Sequence, residues 1–173
     1  LLHNARVNQE AEKRAQQLAL VYDAGLTLNR VLEPRVQLDF LSRIAMRSVR
    51  AQVAVFYRFD PGAQELTLDF ALGYQERGAL FQYRERIPLN TAPGVEAWVA
   101  RERVPALIND TTRDPRFAVS PDELRSGIWV PVEHEDRLLG VLGVASTQPQ
   151  FFSADDERLL VLFASQAAVA LEN

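Results

Sequence analysis

Few side chains here are suited to acid–base or nucleophilic chemistry. The 173-residue chain has two histidines, no cysteine, and one lysine (Lys13) against eighteen arginines. His134 lies in the run Glu133-His134-Glu135-Asp136 between two strand-like segments. A metal there would need ligands converging on one point, whereas neighbours on a strand point to opposite faces. The run reads more simply as a solvated, charged hairpin tip. His3 lies close to the start of the sequence and reads as exposed. Without cysteine there is no disulfide, thiolate nucleophile or thiolate-held metal, which fits a cytoplasmic protein. Without a second histidine in the folded part there is no Ser–His or Cys–His pair. The expectation is a protein that is not an enzyme and that carries no metal and no cofactor.

Binding chemistry is better represented. Gly94 and Val95 follow Pro93 at the start of an amphipathic stretch, where unpaired backbone N–H groups of a helix N-terminus attract anions. The competing reading is that Gly94 only permits a tight entry after the proline. Arg116 is suited to facing an acidic group and Asp110 to accepting hydrogen bonds. Either also serves to fix a loop, Asp110 as a turn residue and Arg116 as its partner. Trp98, Phe117 and Trp129 would wall a cleft, although lone aromatics more often pack in a core or a dimer interface. The mouth of such a cleft is expected between the Gly94 turn, the loop from Asp110 to Phe117, and Trp129. A few polar groups in an apolar cleft are the pattern of small-molecule sites. One arginine is too little for a polyphosphate and suits a small polar or weakly acidic ligand.

The elements that must hold these residues follow from periodicity. Residues 1 to about 32 contain almost no helix breakers and read as one long helix. Its seam is a weak heptad, with Leu18, Val21 and Leu28 apolar but Arg14 and Gly25 poorly suited. An amphipathic helix packing on its own domain explains the same pattern. Pro34 ends or kinks this helix, and a second one follows over about 35–50. Val53 to Phe59 and Glu65 to Leu72 form a hairpin around Asp60-Pro61-Gly62. A short strand (84–89), a short helix (94–103) and another short strand (105–109) come next. A polar loop with one helical turn covers 110–122. The strongest strand pair spans 125–133 and 137–146. The last helix starts at Ser153, whose spacing to Asp156 is that of a capping box, with acids at 155–157 suiting the helix dipole. It is so apolar that it must bury more than one face. The order implies one α+β domain with helices against an antiparallel sheet.

Composition is that of an ordinary globular chain, 47% hydrophobic and 24% charged, and supports one sizeable core. The net charge of −4 comes with acids and bases mixed along the chain, so no basic stripe marks a nucleic-acid surface. The apolar runs are much shorter than a membrane span, and no signal peptide opens the chain. Neither nucleic acid nor membrane is an expected partner.

Four stretches in order resemble the GAF domain family. They are Pro93 to Val99 followed by Val104 to Asp110, then Asp114-Pro115-Arg116-Phe117, then Arg125 to Val132 with Leu139 to Val144, and finally Phe151 to Asn173. The resemblance covers about 52–173. The resemblance implies a six-stranded antiparallel sheet with the N- and C-terminal helices on one face and a ligand pocket on the other. It also implies Gly94 and Val95 as backbone contacts to a ligand, since this turn faces the pocket in ligand-binding relatives. Residues 1–34 are then a connector or signalling helix and 35–173 the sensory domain. Such connectors join tandem modules in bacterial sensor histidine kinases, of two-component systems, and in cyclases. The expected assembly is a homodimer through Leu18, Val21, Leu28 and the C-terminal helix, relaying ligand state along the chain. The family's enzymes, which reduce free methionine sulfoxide, and its bilin-attaching members depend on cysteines absent here. The cyclic-nucleotide branch carries an Asn-Lys…Phe…Asp-Glu signature; the spacing from Phe117 to Asp122-Glu123 departs from it and no lysine stands at the right place. The alternative to a sensor is a ligand-free dimerisation spacer, whose pocket would be filled by side chains such as Trp129 and Phe117.

Overall fold

The three central strands carry apolar residues at consecutive positions, and this is what gives the molecule two cores. The computed structural model describes residues 9, 10, 13, 14, 16, 17, 20, 33–73, 84–117 and 124–172. Six strands are seen, β1 (Val53–Asp60), β2 (Glu65–Leu72), β3 (Arg86–Pro88), β4 (Ala106–Ile108), β5 (Ser126–His134) and β6 (Arg137–Ser146). They form one antiparallel sheet in the order β3-β2-β1-β6-β5-β4. From residue 33 on, three helices among the described residues flank it, α1 (Pro34–Ser48), α2 (Val95–Glu102) and α3 (Ala154–Glu172).

Because strand side chains alternate between faces, β1 sends Ala54 and Phe56 to one core and Val53, Val55 and Tyr57 to the other. The first core packs the sheet against α1 and α3, through Leu38 and Leu41 of α1 and Leu160 and Phe163 of α3. The second packs it against α2, through Val95, Ala97, Val99 and Ala100. The terminal helices thus share one face of the sheet, as the resemblance implies, and α2 covers the other. The element order expected from periodicity matches throughout the described residues.

Local signals explain most boundaries. Pro34 is the first residue of α1, where its missing N–H is an orphan in any case. Asp60 Oδ1 accepts hydrogen bonds from the N–H groups of Gly62 and Ala63, closing the β1–β2 turn. The capping box at α3 is reciprocal: the Ser153 N–H donates to Asp156 Oδ2 at 2.9 Å, and the Asp156 N–H donates to Ser153 Oγ at 3.2 Å. At the β5–β6 tip Glu135 and Asp136 both have positive φ, at 48° and 62°, as a tight two-residue hairpin turn requires.

Of the expected leading helix, Gln9, Glu10, Lys13, Arg14, Gln16, Gln17 and Leu20 are described and are helical. Arg14 lies 3.9 Å from Asp155 and 3.8 Å from Asp156, linking this segment to the start of α3. The seam residues Leu18, Val21 and Leu28 lie outside the described residues, as do His3, Asp122 and Glu123. The apolar C-terminal helix buries Leu159, Leu160, Phe163, Ala164, Ala167, Ala168 and Ala170. Its Val161 stays 39% exposed, alongside α1 residues Val36 at 48% and Phe40 at 42%.

Candidate functional site

On the α2 side of the sheet, β5 carries Trp129 directly opposite Gly143 of β6. The indole lies across this strand pair. A Cβ on Gly143 would meet its pyrrole edge, at Cδ1 and Nε1, and a Cβ on Gly127 would meet its six-membered ring. Two positions without side chains therefore form the floor on which a broad aromatic ring can lie flat. Phe117 covers the ring with its centroid 5.4 Å away, tilted by 56°. Trp129 is 3% exposed, and its Nε1–H is buried with no hydrogen-bond partner among the described residues.

Arg116, the neighbour of Phe117 in sequence, places its guanidinium 4.7 Å from the ring centre of Trp98 on α2. This is cation–π distance. The same guanidinium donates to both carboxylate oxygens of Asp114, Nε to Oδ1 at 2.9 Å and Nη2 to Oδ2 at 2.7 Å. Bidentate pairing of this kind is strong and directional. It holds the Asp114 carboxyl below its ordinary value of 3.8, chiefly through the side-chain hydrogen bond from Arg116. Trp98, Arg116, Phe117 and Trp129 thus form two adjacent pairs, one cation–π and one tilted aromatic pair.

Asp110 takes the turn-fixing role that its type allows, but without the expected arginine partner. Its Oδ1 accepts from the N–H of Thr112 at 3.0 Å and from the Thr112 hydroxyl at 2.6 Å. It also lies 3.6 Å from Arg125 and 3.8 Å from Arg113. These contacts depress its pKa, the Thr112 hydroxyl first. Asp110 is a turn-fixing residue, and the partner of Arg116 is Asp114, not Asp110. The reason is local: the backbone after Asp110 makes one helical turn, with the Asp114 N–H donating to the Asp110 carbonyl at 3.2 Å. The two acids are thereby separated along the turn, and Asp114 is left beside Arg116.

The start of α2 is also already furnished. Gly94 caps the helix with φ 116°, a conformation that L side chains rarely adopt. Val95 behind it is fully buried. The Arg84 guanidinium fills the space where a Cβ on residue 94 would stand, and lies 3.6 Å from Glu96. Burial raises the Glu96 carboxyl above its ordinary 4.5, opposed by the hydrogen bond from its own backbone N–H and by Arg84. The helix N-terminus is thus occupied by the chain's own carboxylate, under an arginine whose carbonyl accepts from the Tyr57 hydroxyl at 2.8 Å. Sequence reasoning missed Arg84, Glu96 and Asp114. Glu96 alone carried a signal, as an acid in the first helical turn.

His134 lies 3.8 Å from Glu135. Its other neighbour Glu133 accepts a hydrogen bond from Arg103 Nε at 2.9 Å, which ties the end of α2 to the β5–β6 hairpin. Among the described residues no group of three or more His, Asp or Glu side chains is arranged to hold a metal ion. No helix among them is long and apolar enough to cross a membrane. A separate open cleft of about 760 Å³ lies beside the leading helix, where Lys13, Arg14, Arg47 and Arg50 face Asp155 and Asp156.

The family model described as the GAF domain matches residues 33–172. Among curated proteins no sequence matches the chain. Among solved structures, the GAF domain of an Acinetobacter phosphoenolpyruvate-protein phosphotransferase is similar, with a TM-score of 0.74 at 22% identity, covering 91% of this chain and 94% of that one. The free methionine-R-sulfoxide reductase of Neisseria meningitidis, solved with its substrate, has a TM-score of 0.76 at 21% identity, covering 92% and 90%. A candidate GAF sensor protein of Burkholderia vietnamiensis has a TM-score of 0.74 at 23% identity, covering 90% and 93%. At these identities the likeness is one of fold.

Proposed function

The chain belongs to the GAF domain family, and from that premise we propose that it is a small-molecule-sensing, regulatory module of a multidomain bacterial signalling protein. The observation that carries this reading is the placement of Trp129. It reaches the α2-side cluster while its strand neighbours Ile128 and Val130 reach the core under α1 and α3. A ligand that moved β5 would be felt by both faces of the sheet. Such a shift requires different affinities for two arrangements of the terminal helices.

In this reading the ligand is small and polar or weakly acidic. It lies against Trp98, Arg116, Phe117 and Trp129, with Gly94 and Val95 as backbone neighbours and Asp110 holding the loop. The module is a homodimer through its terminal helices. Support comes from the exposed apolar residues Val36, Phe40 and Val161 on α1 and α3. It does no chemistry of its own, in keeping with the absence of cysteine, and works in the cytoplasm. A histidine kinase is the output favoured by the resemblance of its leading segment.

A thermal-shift screen of metabolites tests the sensor. A binder at a hundred times its dissociation constant stabilises the fold by about 2.7 kcal/mol, a readable melting shift. The expected result is at least one hit that weakens in Arg116→Ala. A second reading, the ligand-free spacer, is favoured by the near-complete burial of Trp129 under Phe117. An empty screen hands the function to the spacer. Sedimentation at tens of micromolar tests the dimer, since an interface of ordinary size associates there.

A further inference from the structure

The polar groups around the α2-side cluster are nearly all committed. Arg116 is paired with Asp114 by two hydrogen bonds, Asp110 accepts from Thr112 and faces Arg125 and Arg113, and Glu96 lies under Arg84. Two buried donors have no partner among the described residues, Arg125 Nε beside Asp110 and the Trp129 Nε1–H, the latter on a side chain only 3% exposed. A buried donor left unpaired is costly, and such groups are rare enough in folded proteins to need a cause. A phenylalanine would offer similar apolar surface without that cost. Yet Gly127 and Gly143 both keep their Cβ positions empty beneath the indole, so three positions are given over to seating this ring.

We infer that the Trp129 Nε1–H is a ligand-orienting donor, and that the ligand it selects is a neutral, planar molecule carrying a carbonyl acceptor, such as an aromatic carboxamide. This rests on the reading of this face as a small-molecule site. Neutrality follows from the charges: the one guanidinium in the stack already has its carboxylate, so a second anion gains little from it. Planarity follows from the walls, which are the flat groups of Trp98, Arg116, Phe117 and Trp129, set against one another as a cation–π pair and a tilted aromatic pair. The acceptor follows from the unpaired N–H of the indole that these walls enclose. Trp129 is thus a specificity-determining residue, which the sequence marks only as a wall of the cleft because nothing in a sequence shows that an N–H lacks a partner.

The test is a titration of the ¹⁵N-labelled full chain with benzamide, benzoate and toluene, following its indole N–H resonances. The chain has two tryptophans, so the spectrum of Trp98→Phe assigns the Trp129 signal while the titration itself uses the unaltered protein. Expected is a free Trp129 signal at the position of an unbonded indole. Benzamide moves it saturably downfield. Benzoate binds more weakly than benzamide, and toluene leaves the signal where it was. Trp129→Phe lowers benzamide affinity about tenfold, roughly the loss of one net hydrogen bond. A free-state signal that already shows a bonded N–H exchanging with trapped water overturns the inference, because the donor then belongs to the fold. So does benzamide saturation, seen at other residues, that leaves the indole unmoved. If a metabolite from the screen binds without moving it, the inference falls and the sensory reading stands. If neither the probes nor the metabolites bind, both fall.

Discussion

The two faces of one sheet are built on opposite terms. Under α1 and α3 the core is aliphatic and phenyl, with Leu38, Leu142, Leu160 and Phe163 against small residues such as Ala164 and Ala168. Under α2 the sheet meets an indole with an unpaired N–H, a guanidinium stacked on a second indole, and a partly buried carboxylate. Both faces draw on the same strands, so the difference lies in the residues that alternate along them. What it teaches is a division of labour: the helix face carries stability, and the α2 face holds groups that stability alone would not select.

Substitutions on each face sharpen or break that division. The largest effect belongs to the helix face. Phe163→Ala, at a side chain 1% exposed, is expected to destabilise by about 3–5 kcal/mol in denaturant unfolding while leaving tryptophan emission of the folded state unchanged. A loss below 1 kcal/mol would mean that this face does not carry the fold. On the other face Gly143→Ala sets a methyl against the indole edge and 3.2 Å from Val55 Cγ1. The expected loss is about 1–3 kcal/mol from overpacking, together with a red shift of emission as Trp129 is displaced. Unchanged emission would show that the ring does not need that floor.

Asp114→Asn probes the charge pair. The folded chain gives up the Asp114 proton at a lower pH than the unfolded chain does. The pair therefore contributes above the ordinary 3.8 and is lost as pH falls below it. The substitution is expected to lower stability near neutral pH by no more than about 1 kcal/mol, as for pairs open to solvent, and to remove that acid-side dependence. Glu96→Gln has the smallest expected effect and the opposite sign. Burial holds the Glu96 carboxyl above 4.5, so the folded state keeps a proton that the unfolded chain has released. Stability then falls as pH climbs from 4.5 through the raised value, and Glu96→Gln should flatten that fall. Parallel pH profiles for Glu96→Gln and the parent would remove Glu96 from the account.

Much of the architecture is legible from local pattern. The alternation in Glu65 to Leu72, the Asp60-Pro61-Gly62 turn and the Ser153–Asp156 spacing each act within a few residues of chain. Hydrogen bonds or strand pairing bear each of them out. The site is legible only in part. Residue type alone nominates Trp98, Arg116, Phe117 and Trp129, and they lie together as a cation–π pair and a tilted aromatic pair. Their partners were not foreseen.

Amino-acid order alone thus determines which segments become helix and strand and where they start, since backbone hydrogen bonding and apolar periodicity act over short stretches. Only tertiary structure decides that Arg116 pairs with Asp114, that Arg84 lies across Gly94 to Glu96, and that Gly127 and Gly143 clear a bed for Trp129. With nineteen basic and twenty-three acidic residues, many pairings satisfy charge, and sequence spacing does not choose among them. Distance does, because ion pairs and ring contacts act over a few ångströms in space, and which residues come that close is set by how the strands register and the helices pack.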